Sequence, residues 1–304
     1  MMMNRESHMR AVVQALFVVF LWATSWVLIK VGLEEIPPLT FAGLRYTLAF
    51  ICLLPVLLIS QQRSSSHPMS GRTWGSLVLL GILLYALTQG SSFVALAHLP
   101  AVTVNLLWSF SSVAVALMGP VWLAERPTRL QWLGVGLATL GVGIYLLPVA
   151  FPRDQLLGVV AAVVGVLANA SASILGRGIN RRGDIAPLAV TVVSMGVGSI
   201  TLLSTGIAVQ GLPQISAQSW AIIAWLAVVN TAFAFTLWNH TLRTLSATES
   251  SIINGTMLIW IPVLAVIFLQ ERITPKELIA LVVVGIGTLL VQLRRAPTQA
   301  NETP

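Results

Sequence analysis

Charge is scarce in this chain. Only 9% of its 304 residues are Asp, Glu, Lys or Arg, against 56% hydrophobic residues and a mean hydropathy of +0.87. A soluble domain carries about 25% charged residues, so a soluble core is excluded and hydrocarbon is the expected solvent. Cysteine is almost absent too. Cys52 stands alone, which excludes an intrachain disulfide. No His, Cys, Asp or Glu cluster has metal-ligand spacing, and no Walker A or Rossmann glycine pattern opens a helix. Neither a metal nor a cofactor is expected. In a soluble protein the net charge of +7 would suggest nucleic acid. Here it is assigned to basic loops on one membrane face, and nucleic acid is not an expected partner.

Long apolar runs are abundant. A spanning helix needs about 20 mainly apolar residues, and ten such runs are present: Ala11–Val31, Thr40–Ser60, Trp74–Ala97, Ala101–Ala124, Leu130–Leu147, Leu156–Leu175, Ala186–Ile207, Ser219–Leu242, Ala247–Gln270 and Lys276–Leu293. The first is too long for a signal-peptide core and lacks a cleavage site, so it is retained as a span. The N-terminus and alternate loops hold Arg5, Arg10, Arg63, Arg72, Arg126, Arg129, Arg177, Arg181, Arg182, Arg243, Arg294 and Arg295. The opposite face has Lys30, Arg153, Arg272 and Lys276, with Arg45 just inside the second span. This bias predicts a multi-pass inner-membrane protein with both termini in the cytoplasm.

The two halves repeat. "LAERPT" ends at Thr128 and "LQERIT" at Thr274, and Glu125 and Glu271 are 271 − 125 = 146 residues apart. At that offset Leu99 meets Leu245, Ala101 meets Ala247, Leu123 meets Leu269, Gly141 meets Gly287 and Ser25 meets Ser171. The predicted fold is therefore all-α: ten transmembrane helices built as two five-helix repeats, 1–148 and 149–304. With five spans per copy, the second copy enters the membrane from the opposite side. Inverted repeats of this kind place a substrate site near the midplane, exposed alternately by rocking one copy against the other. After each Glu-Arg pair, Thr128-x-x-Gln131 and Thr274-Pro275-x-Glu277 read as helix starts.

The stretch "FLWATSWVLIKVGLEEIPPLTFAGLRYTLA" (Phe20 to Ala49) resembles the opening of the drug/metabolite transporter superfamily, in its ten-helix EamA branch; Trp22, Pro38, Arg45 and Ala49 match that pattern. "LAERPTRLQWLGVGLATLGVGIYL" and "LQERITPKELIALVVVGIGTLLV" are similar to the family's fourth- and ninth-helix ends with the helix that follows. The resemblance implies a bacterial inner-membrane metabolite exporter with a central cavity lined by helices one, three, four, six, eight and nine.

Unpaired polar groups are costly in hydrocarbon, so those at mid-depth face protein or a wet cavity. The substrate-binding candidates are Trp22, Ser25, Tyr85, Gln89, Asn105, Trp108, Asn169, Asn230, Asn239, Asn254 and Trp260. For each Asn and Ser the alternative is a hydrogen bond that packs two helices; for each Trp it is packing or lipid contact. Ser112, Ser173 and His240 are further polar residues within spans. Trp74, Trp122, Trp132 and Trp220 sit near span ends and read as an interfacial belt. Glu249 and His240 are the candidates for coupling. Glu249 also fits a capping box with Ser246, and His240 also fits a satisfied helix-end histidine. Arg45 is expected to snorkel outward and pair with a loop acid such as Glu34 or Glu35; the alternative is contact with an anionic group. Gly134, Ala138, Gly141 and Gly143 permit close helix approach, inside the repeat or in a dimer, leaving monomer and homodimer both open.

All ten acids, Glu6, Glu34, Glu35, Glu125, Asp154, Asp184, Glu249, Glu271, Glu277 and Glu302, lie in loops, tails or end turns. A pump for cationic drugs would use a buried first-helix carboxylate, and this first helix has none. His98 and His240 lack an acid or Cys partner at depth, so the activity is not expected to be enzymatic. Together with the family resemblance, the missing buried acid implies export of a small neutral or zwitterionic metabolite, such as an amino acid, by a carrier embedded in the lipid bilayer. The alternatives are a multidrug or lipophilic-cation exporter of the same fold, an intramembrane enzyme, and a receptor that transports nothing.

Overall fold

The computed structural model describes residues 5–61, 70–123, 128–146, 152–182, 185–245 and 247–292. Arg63, Glu125, Arg126, Asp184, Ser246, Arg294, Arg295 and Glu302 lie outside them, as do the side chains of Arg5, Trp122, Arg181, Arg182 and Asn239. The described chain is helical, with no strand among these residues. Hydrocarbon offers the backbone no hydrogen bonds, so a spanning chain must satisfy its own amides and carbonyls.

The helical segments run end to end as ten rods. The unbroken ones are α1 (Arg5–Gly32), α2 (Pro38–Gln61), α5 (Arg129–Leu146), α6 (Leu156–Arg182), α7 (Pro187–Gln210) and α10 (Pro275–Gln292). Rod α3 (Gly71–His98) contains a π-helical segment, Ile82–Gln89. Rod α4 is Ala101–Trp108 followed by Phe110–Leu123. Rod α8 is Ala217–Ala227, a π segment Val228–Phe233, and Ala234–Thr241. Rod α9 is Ala247–Gly255 and Met257–Leu269. Among the described residues nine are long and apolar enough to cross a membrane. The tenth, α5, has 18 residues and begins with Arg129 and Gln131.

Four of the ten rods are interrupted, and the interruptions obey the repeat. The π segments begin at Ile82 and Val228, 228 − 82 = 146 residues apart. Rods α4 and α9 end at Leu123 and Leu269, and α5 and α10 start at Arg129 and Pro275, again 146 apart. In each π segment a threonine hydroxyl donates to the carbonyl five residues back: Thr88 to Leu83 and Thr231 to Leu226, at 2.7 and 2.8 Å. A wide turn leaves a carbonyl short of its amide partner, and the hydroxyl supplies the missing proton. At the breaks in α4 and α9, Ser109 and Thr256 bond the carbonyl three residues back, at 2.6 and 2.7 Å.

Matching helices of the two repeats lie side by side and antiparallel. Along α2 and α7, Thr40 meets Gly206, Gly43 meets Leu203 and Phe50 meets Gly196. Along α5 and α10, Gly134 meets Gly287 and Val291, while Gly141 meets Val284. Two repeat-related rods paired head to tail are what an inverted repeat requires. The absence of side chains at these glycines lets the backbones touch, which replaces the missing hydrophobic drive between helices in lipid. Gly134, Ala138 and Gly141 are therefore spent on the contact between repeats, while Gly143 faces open space. Large apolar side chains such as Ile51, Ile59, Val160, Ile267 and Phe268 point outward. Trp74, Trp132 and Trp220 are exposed near rod ends, where indole suits the membrane interface.

Candidate functional site

A chain of polar contacts crosses the bundle at mid-depth. It starts on α8. Asn230 is fully buried, and its amide nitrogen donates to the Leu21 carbonyl, to Thr24 Oγ1 at 3.1 Å and to Ser25 Oγ at 2.9 Å, all on α1. Its carbonyl oxygen is buried without a partner. The next residue, Thr231, faces α2 and takes contacts from Arg45 Nε at 3.4 Å and Nη2 at 3.3 Å. The guanidinium lies 5.0 Å from the centre of the Tyr46 ring, a cation–π distance. Tyr46 donates its hydroxyl to Gln89 Oε1 at 2.7 Å, and its ring meets that of Tyr85 edge-on, centroids 5.6 Å apart. Four helices, α1, α8, α2 and α3, are joined by this band. Arg45 is seven residues past Pro38 and Gln89 nine before His98, so at 1.5 Å per residue they lie about 10 and 14 Å below the same end of the bundle.

Arg45 departs from its expected role. It is 5% exposed and does not reach the interface. It makes no contact with a carboxylate among the described residues. Glu35 is engaged elsewhere: it accepts from Ser219 Oγ, from Ser216 Oγ at 2.7 Å and from the Ser216 amide at 2.5 Å. These hydrogen bonds, the one from Ser219 foremost, hold its carboxyl below the usual carboxylate range against a smaller opposing effect of burial. Glu34 lines an end crevice with Lys30. The side of α2 that carries Arg45 faces the α8 π segment, which leaves no path to the loop.

The other candidates divide into four places. Trp22 packs between α1 and α8 with Phe235 and Trp238, centroids 5.3 and 5.2 Å away, and its buried Nε1 has no partner. Ser25, Tyr85, Gln89 and Asn230 belong to the band itself. On the far side, Asn105 is 5% exposed with an unpartnered Nδ2, Trp108 lies over Gly165 of α6, and Asn169 is half-buried on the same helix. The fourth group points outward or sits at the end. Asn254 is exposed, and Trp260 is 36% exposed with its ring against Phe20. His240 is exposed near the end of α8, and Glu249 pairs with His8 Nε2 at 3.1 Å. Residues not singled out from sequence are Thr24, Tyr46 and Thr231. Tyr46 had one available signal: the chain has only three tyrosines, and two of them meet here.

The end of the bundle nearest the band is held by acids that reach across the repeats. Glu271, from the "LQERIT" corner, accepts from the amides of Ala101 at 2.7 Å and Val102 at 3.1 Å. These are orphan donors at the start of α4, and a carboxylate there complements the helix dipole. Beside it, Lys30, Glu34, His98, Pro100 and Glu271 border an open crevice of about 500 Å³. Glu35 does for the start of α8 what Glu271 does for α4. Both corners after the Glu-Arg pairs are reciprocal caps: Thr128 with Gln131 at 2.9 and 3.3 Å, Thr274 with Glu277 at 2.7 and 3.3 Å. Among the described residues no group of His, Cys, Asp and Glu could hold a metal ion.

The similarities to known proteins agree with this architecture. A family model described as "EamA-like transporter family" matches twice, at residues 9–147 and 156–293. An uncharacterized transporter of Archaeoglobus fulgidus is 26% identical over 258 residues, covering 82% of this chain and 84% of its own. The uncharacterized inner membrane transporter YedA of Escherichia coli is 25% identical over 293 residues, covering 92% and 90%. The S-adenosylmethionine/S-adenosylhomocysteine transporter of Chlamydia trachomatis is 29% identical over 145 residues, 46% of this chain and 42% of its own. One solved crystal structure shares the fold with a TM-score of 0.65 at 15% identity, over 93% of this chain and 97% of its own. With the family pattern present in both halves of a multi-pass membrane protein, the chain belongs to the EamA-like transporter family.

Proposed function

We propose that this transporter exports small neutral or zwitterionic metabolites, such as amino acids, across the bacterial inner membrane by alternating access. The observation that carries the reading is the mid-depth band, whose hydrogen-bonding groups lie beside aromatic faces and include no acid. Two buried atoms at it are unpartnered, the Asn230 carbonyl oxygen as acceptor and Trp22 Nε1 as donor, and so is the donor Asn105 Nδ2 across the bundle. Buried polar groups in native proteins usually have partners, and a polar solute is a partner that comes and goes. A lipophilic cation finds no carboxylate in the band and meets the charge of Arg45 instead. The partial relative in Chlamydia is named for S-adenosylmethionine and S-adenosylhomocysteine, both of which carry an amino-acid end. Both termini are assigned to the cytoplasm from the loop charges, and the transporter works as a monomer or a homodimer.

Proteoliposomes loaded with labelled amino acids or with tetraphenylphosphonium decide between cargoes. Efflux of amino acids without the cation is expected. Cation flux with no amino-acid flux sinks the proposal and favours the multidrug reading.

A further inference from the structure

We infer that Arg45 is the receptor for the carboxylate of the transported solute, with Thr231 and the Tyr46 ring holding its guanidinium in place. The inference rests on the proposed export of amino-acid-like metabolites and assigns one end of that substrate.

Arg45 is the only cation of the band, and its environment does not satisfy it. A guanidinium has five N–H donors in a fixed fork and cannot be neutralised at working pH. Among the described residues Thr231 Oγ1 is the one oxygen it meets, at 3.4 Å from Nε and 3.3 Å from Nη2. Both distances exceed the 2.7–3.2 Å usual for N–H···O. That hydroxyl also spends its own proton on Leu226. Both N–H groups of Nη1 and one of Nη2 have no acceptor among the described residues. The Tyr46 ring offers its face at 5.0 Å, but a ring supplies no lone pair for those donors.

A structural tether does not account for this. Holding α2 against α8 needs one neutral hydroxyl contact, which a glutamine would provide without a buried charge. Burying an unpaired charge is costly, and an ionisable residue inside a membrane bundle is retained where it serves a substrate or ion. The fork matches a carboxylate, which accepts two parallel hydrogen bonds from it. The support is also preorganised. Tyr46 is fixed by Gln89 and Thr231 by Leu226, so the two groups flanking the guanidinium are anchored to different helices. Thr231 sits in the π segment of α8, beside Asn230, which grips α1. A carboxylate on Arg45 would therefore act at a junction of three rods.

The test is binding to purified, detergent-solubilised protein, read as a thermal shift titrated to an apparent Kd. The probes are the standard L-amino acids, their carboxamides, and simple monocarboxylates from acetate to benzoate. In the wild type, each carboxamide is expected to bind about tenfold or more weakly than its parent acid, because the charge-assisted fork is lost. Arg45→Gln is expected to bring the acid-to-amide ratio close to one. Arg45→Lys, which keeps the charge and loses the fork, is expected to fall between them. The wild-type comparison needs no variant, so a misfolded Arg45→Gln does not remove the test. A wild-type ratio near one, or a ratio that Arg45→Gln leaves unchanged, overturns the assignment while leaving amino-acid export intact. Arg45-dependent binding of monocarboxylates without any amino-acid binding keeps the receptor and overturns the proposed cargo. No shift with any of these probes overturns both.

Discussion

Asn230 joins α8 to α1 through a single amide group. It makes three donor contacts to α1, and hydrogen bonds between membrane helices are worth about 0.6 kcal/mol on average and up to about 1.7. Asn230→Leu is therefore expected to lower stability by about 2 kcal/mol, read as a lower melting temperature in detergent, with transport falling further than the remaining folded fraction explains. Melting unchanged would mean that these contacts are replaced in the variant. Trp22 and Trp132 make a controlled pair. Trp22 has its Nε1 buried and unpartnered between α1 and α8, whereas Trp132 is 52% exposed on α5. Trp22→Phe is expected to raise the apparent KM for substrate severalfold, and Trp132→Phe to leave it alone. Equal effects would place Trp22 outside the binding site.

How much of this was legible in the sequence depends on what each residue faces. The acids could be placed at the rod ends because charge has one cheap location in a membrane, and Thr128 and Thr274 could be read as caps because their partners lie three residues on. Arg45 could not. The rod around it is mostly apolar, and in lipid the inside and outside of a bundle are equally greasy. Periodicity then says nothing about which face meets α8. The same ambiguity put Asn254 and Trp260 on the candidate list, though both are exposed.

At the scale of elements, helix ends and helix crossings are the points that a substitution reaches most directly. The start of α8 depends on Glu35. Its carboxyl is held below its ordinary value by bonds to Ser219 and Ser216. A carboxyl with a lowered folded-state pKa contributes stability that is present above its unfolded value and is lost as pH falls through the folded value. The wild-type melting temperature should therefore decline as the medium is acidified below about pH 4, the usual carboxylate range. In Glu35→Gln this part of the decline should disappear, and the melting temperature near neutral pH should be lower. Identical acid limbs in the two proteins would exclude Glu35 as a contributor. Where α3 crosses α7, Gly198 lies against the Gly81 carbonyl, and a methyl group there would come within 2.6 Å of Tyr85 Cβ. Because backbone cannot yield as a side-chain tip does, Gly198→Val should cost several kcal/mol or abolish folding, about what overpacking costs at a tight core site. Folded yield after membrane extraction measures it. The π segments were invisible in the sequence for a related reason. One extra residue in a turn changes the register of everything after it without altering composition, and only the paired hydroxyls of Thr88 and Thr231 report it.

For the whole molecule, the two self-pairings set the possible motion. Rods α2 and α7 cross at Gly43, Leu203 and Gly206, and α5 and α10 cross at Gly134, Gly141 and Gly287. Each is a pair of repeat-related helices, the arrangement expected of two repeats related by a pseudo-twofold axis in the membrane plane. If the repeats exchange roles, as the proposed alternating access requires, the bundle has a second arrangement with its ends exchanged. The end capped by Glu35 and Glu271 is tied across the repeats, and the band lies below it. Alternating access then predicts that a residue of the band is reached from each side in turn. In a Cys52→Ala background, Ser25→Cys places a thiol where Asn230 meets α1. A membrane-impermeant thiol reagent applied to right-side-out and to inside-out vesicles should label it from both sides, and a transported substrate should slow labelling on each. Labelling from one side only, whatever the substrate gradient, would mean that the repeats do not exchange roles, and the pseudo-twofold would then describe how the protein arose and not how it works.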